Sequence, residues 1–112
     1  MVDSKADQEK EVYTQTFLGL VQSMAAAGMA QLGKIANPIT GEVERNLDQA
    51  QYSIAMLEML KKKTEGNLDK DERTILDTVL TNLRMNFVEE AKKDKKAQAE
   101  KEAEKAKDES SE

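Results

Sequence analysis

Between Val12 and Gly33 the chain carries no charged residue, although Asp, Glu, Lys and Arg make up 35% of its 112 residues. Such a segment must be buried, covered by another surface or placed in a bilayer, and its internal spacing separates these options. Phe17, Leu18, Val21, Met24, Ala25, Gly28, Met29, Leu32 and Ile35 recur at steps of three and four, which brings them to one face of a helix. Thr14, Gln15, Thr16, Gln22, Ser23 and Gln31 interrupt the run, and much of the rest is Ala or Gly. It is long enough to cross a membrane but too weakly apolar to do so. The spacing predicts a first helix over 11–36, stopped by Asn37-Pro38 because proline disfavours helical geometry in its predecessor.

Two more helices follow from their end signals. Asn46 is a good N-cap with Gln49 in capping-box position, and Leu47, Ala50, Ile54, Leu57 and Leu60 form an apolar face. Lys61, Lys62 and Lys63 crowd the last turn, where cations suit the dipole, and Gly66 supplies the stop. Asp69 and Glu72 form a second capping box ahead of the stripe Ile75, Leu76, Val79, Leu80, Leu83 and Phe87. A tight connection makes helices two and three antiparallel. The expected fold is all-α: a three-helix domain over 11–91, preceded by a disordered segment 1–10. Residues 92–112 form a charged low-complexity tail, helical or disordered, with seven Lys and seven Asp or Glu.

Composition removes most chemistry. Without Cys, His or Trp there are no disulfides, thiolate nucleophiles, imidazole bases or Cys/His metal sites. The net charge of −5 argues against binding to duplex nucleic acid, where Lys and Arg contacts to phosphate dominate. Asp69, Asp71 and Glu72 are accounted for by helix capping, and Glu42 and Glu44 sit in a loop without the spacing of a calcium site. The sequence therefore predicts neither an enzyme nor a cofactor. The acidic opening lacks the basic region of a secretory signal, Val2 cannot be myristoylated, and a cytoplasmic location is expected.

The helices carry more uncharged surface than one small bundle needs. Behind the apolar face of helix one lie Gly19, Ser23, Ala26, Ala30 and Gly33, a strip of small residues that lets two backbones approach. Opposite Leu57 lie Tyr52, Ala55 and Met59, with Met56 at the border, and Met85 lies across helix three from Leu76 and Leu83. Gly19, Ser23, Ala26, Ala30, Tyr52, Met56, Met59 and Met85 are accordingly the candidate oligomer interface. A twofold dimer is the simplest assembly that buries them.

Pro38-Ile39-Thr40-Gly41, then Leu47, Ala50, Ile54 and Leu57, then Lys63-Thr64-Glu65-Gly66-Asn67-Leu68 and Leu83-Arg84 resemble domain of unknown function family 1844. The likeness covers about residues 12–90, with Thr-x-Gly-Asn-Leu its most specific element. It implies a helical fold and a bacterial source, and no activity. The expected role is a non-catalytic, homo-oligomeric helical protein-interaction module. The alternatives are a peripheral membrane-associated factor using helix one and a small-ligand carrier with a pocket between Met-rich helices.

Overall fold

The computed structural model describes residues 4–110, and all of its regular structure is helical. Three helices, α1 (Lys5–Gln31), α2 (Leu47–Lys63) and α3 (Lys70–Ser110), pack on one another around a single core. Val21 and Leu32, Ala50, Ile54 and Leu57, and Leu76, Leu80 and Leu83 form its centre, so each helix contributes through its apolar stripe. Ion pairs from Lys61 to Asp77 and from Glu58 to Arg84 step in opposite directions along α2 and α3, as antiparallel packing requires.

The ends of the helices follow local chemistry. Asn46 Oδ1 accepts from the Gln49 amide at 3.1 Å, while the Asn46 amide donates to the Gln31 carbonyl; only half of the predicted capping box forms. The second box is complete: Asp69 accepts from the Glu72 amide at 2.8 Å, and Glu72 accepts from the Asp69 amide at 2.9 Å. Leu68 packs against the core beneath this turn.

α1 departs from its expected limits at both ends. Residues 5–10 are helical rather than disordered, because Ser4 caps them by accepting from the Asp7 amide at 3.2 Å. Residues 1–3, including Val2, lie outside the described residues. At the other end the helix stops at Gln31, well before Pro38. Gly33 there adopts φ +76°, and a side chain at that position would meet Arg45 at 3.3 Å. Ile35 therefore falls beyond the helix and is exposed, not part of its buried face. The tail is helical throughout its described part, since α3 continues to Ser110 with no apolar stripe after Ala91; residues 111–112 lie outside.

Gly28 sets the distance between α1 and α3. A Cβ there would stand 2.9 Å and 3.2 Å from the two methyl carbons of Leu83, itself only 1% exposed. Gly28→Ala gains about 1 kcal/mol of helix propensity but adds overpacking of about 1–3 kcal/mol. We expect a net loss near 1 kcal/mol, read as a fall of roughly 4–8 °C in Tm. An unchanged or higher Tm would show that Leu83 has room to move.

Candidate interaction surfaces

The most concentrated polar cluster is built on Glu90, which is 6% exposed. Leu83, Phe87 and Glu90 follow one another at steps of four and three, so the carboxylate continues the apolar stripe of α3. Lys93 Nζ donates to it at 2.8 Å from the next turn and Lys34 Nζ at 3.0 Å from just after α1. Arg45 Nε donates to its other oxygen at 2.9 Å, while Nη2 reaches the Glu90 carbonyl and Asp94 Oδ1. These donors, Lys93 first, then Lys34 and Arg45, lower the Glu90 carboxyl from 4.5 to about 2 against the opposing effect of desolvation. Every acceptor position faces a cation, which marks the cluster as a clamp on the α1–α2 connection rather than a site open to a ligand.

The predicted interface residues are distributed over several faces. Gly19, Ser23 and Ala26 are exposed along the back of α1, and a methyl at Gly19 would meet nothing within 4 Å. Ala30 does not join them: it is buried within the chain, because the connection folds back over the last turn. The Gly33 amide donates to its carbonyl, and the Asn46 amide reaches neighbouring Gln31. Tyr52 and Met56 line a groove between α1 and α2 with Met24 and Ala27, closed at one side where Ser53 Oγ donates to Gln31 Oε1 at 2.6 Å. Met59 belongs to a different groove, and Met85 lies on a shallow depression of α3 beside Val79 and Asn82.

Met59's groove, of about 750 Å³, lies between α2 and α3 at the end where Thr64–Leu68 connects them. Ala55, Met59 and Leu68 give it an apolar floor. Lys61, Lys62, Arg73 and Arg84 line it with Glu58 and Glu65. Arg84 is occupied by Glu58 at 2.8 Å and Lys61 by Asp77 at 2.7 Å, whereas Lys62 and Arg73 have no ion pair among the described residues. Sequence reasoning assigned the lysines to capping alone and missed that they border a groove. It also missed Val12, Tyr13 and Leu20, all at least half exposed on α1. The signal was present, since Tyr13, Leu20 and Ala27 repeat every seven residues on one flank of the charge-free helix.

Among the described residues no cluster of acidic or other ligand side chains could hold a metal ion, and no helix is long and apolar enough to cross a membrane. The chain is a small three-helix α protein with an open groove and a polar clamp. It belongs to the family described as Domain of unknown function (DUF1844), which matches residues 14–89. No curated protein and no solved structure shows detectable similarity to it.

The clamp makes a pH-dependent prediction. Glu90 is depressed in the folded chain, so its contribution is complete above its unfolded value of 4.5 and is lost as pH falls toward about 2. Thermal melts of wild type and Glu90→Gln should differ most near neutral pH and converge in acid. A Tm difference that persists unchanged near pH 2 would show that the charge of Glu90 is not what holds the connection.

Proposed function

We propose that this protein is a non-catalytic helical interaction module that works as a homo-oligomer, most simply a twofold dimer, in the bacterial cytoplasm. The observation that carries this reading is the display of large apolar side chains on all three helices. Tyr13 is 68% exposed, Tyr52 69% and Met85 66%, and Leu20, Met59 and Val88 are about half exposed. Single exposed apolar residues are ordinary on a protein surface, but repeated ones along every helix of a small bundle mark contact faces. Gly19 adds to this. Its backbone freedom costs an exposed helix about 1 kcal/mol relative to Ala, and nothing among the described residues makes use of the space it leaves.

Sedimentation of the purified chain over a wide concentration range tests the proposal. A species of twice the 12.5 kDa chain mass, dissociating on dilution, is expected. A single 12.5 kDa species at every concentration would overturn the homo-oligomer reading.

A further inference from the structure

α1 and the groove between α2 and α3 are each incomplete at the same end of the molecule. Gly28 lies against Leu83 and Lys34 against Glu90, so α1 runs parallel to α3 in a defined register. On that register Lys70, the first residue of α3, stands level with the stretch around Gln15. The part of α1 before this point has no neighbour to pack on among the described residues, and every residue from Ser4 to Tyr13 is exposed. It nevertheless has an organised face. Glu9, Val12, Tyr13 and Thr16 fall at three- and four-residue steps and share one side of the helix.

The Thr64–Leu68 connection and its groove occupy the same end. Ala55 and Met59 are exposed on the side of α2 opposite the buried Leu57, so the groove faces outward from the core. Its helical wall, from Ala55 to the end of α2 at Lys63, measures about 12 Å at 1.5 Å per residue, close to the roughly 10 Å of α1 from Glu9 to Thr16.

We infer that the projecting start of α1 docks in the α2–α3 groove of a second copy of this chain, and that the second copy returns the same contact. The inference rests on the homo-oligomer reading above and specifies its interface. Charge complementarity supports the choice of occupant. Glu9, on the face of Val12 and Tyr13, makes no ion pair among the described residues, and neither do Lys62 and Arg73, which outnumber the single unpaired acid Glu65 in the groove; Asp7 and Glu11 lie on the opposite side of the helix. Val12 and Tyr13 supply apolar surface for the floor of Met59 and Leu68. Symmetry supports it too. With donor segment and acceptor groove at one end but on opposite sides of the α2–α3 layer, a single twofold rotation satisfies both contacts and leaves no open end. One three-turn helix alone falls short of the roughly 800 Å² per partner of a stable interface, and the reciprocal exchange doubles it.

The natural absence of cysteine allows a direct test. A chain carrying Tyr13→Cys and Met59→Cys, treated with a short bismaleimide, should yield covalent dimers. Tyr13→Cys with Met85→Cys should not, because Met85 lies outside the groove. Independently, Tyr13→Glu should raise the dimer dissociation constant by at least about thirtyfold, the loss expected for a central aromatic anchor. Tyr13 is exposed in the single chain, so unchanged circular dichroism will confirm that the variant folds. If wild type dimerises while Tyr13→Glu dimerises equally well and the chain with Tyr13→Cys and Met59→Cys gives no covalent dimer, this interface is wrong and the homo-oligomer reading stands. If wild type is monomeric throughout, both fall.

Discussion

One carboxylate holds the connection that organises the molecule. The chain leaves α1 at Leu32 and enters α2 at Leu47, and Lys34 and Arg45, near the two ends of that connection, both donate to Glu90 on α3. Burying a carboxylate is costly unless its lone pairs are met, and here three cations and a rigid helix meet them. By fixing the end of α1 level with Glu90, the clamp sets the register of two parallel helices. Gly28 then sets their separation against Leu83. Both projections of the molecule follow from that register. The start of α1 overshoots the first residue of α3, and α3 continues past Asp94 beyond everything packed on it.

The two projections are chemically different. The tail of α3 alternates Lys and Glu with Ala and is fully exposed over 95–109, the composition of a helix supported by its own opposite-charge neighbours. The start of α1 carries Val12 and Tyr13 and leads directly into a charge-free surface. Solvent suits the first and not the second. The groove floored by Ala55, Met59 and Leu68 has the converse deficiency, an apolar trough whose Lys62 and Arg73 have no ion pair among the described residues. Much of the molecule's overall extent of 84 Å by 31 Å by 17 Å comes from these unpacked ends.

The helical architecture was legible because its signals were local. The caps at Asn46 and Asp69 and the stripe from Ile75 to Phe87 can be read from residues three and four apart. The limits of α1 were less legible. Pro38 is a strong stop, but Gly33 ended the helix first through its positive φ, with the Lys34 amide returning to the Met29 carbonyl; that signal is local too, and it was passed over because Gly33 continues the small-residue strip of the helix. Ala30 was misplaced because the burial of a residue on the back of a helix depends on where the following chain returns. Glu90 could have been noticed as an acid in the register of an apolar stripe, but its partners are set by tertiary approach and leave no mark in spacing. The candidate interface was readable as a list of anomalous residues, not as the faces they occupy: Tyr52 and Met56 share a groove, while Met59 and Met85 do not join it.

Amide hydrogen exchange of the intact chain, at a concentration where it self-associates, reads the docking of the α1 end directly. The two projecting helical ends serve as each other's control, since both are exposed in the single chain. A free helix end frays, and its amides exchange close to the unprotected rate. Amides of residues 9–14 are expected to be protected at least about tenfold relative to those of 97–109, and dilution is expected to remove the difference. Equal exchange at both ends, independent of concentration, would contradict the docking.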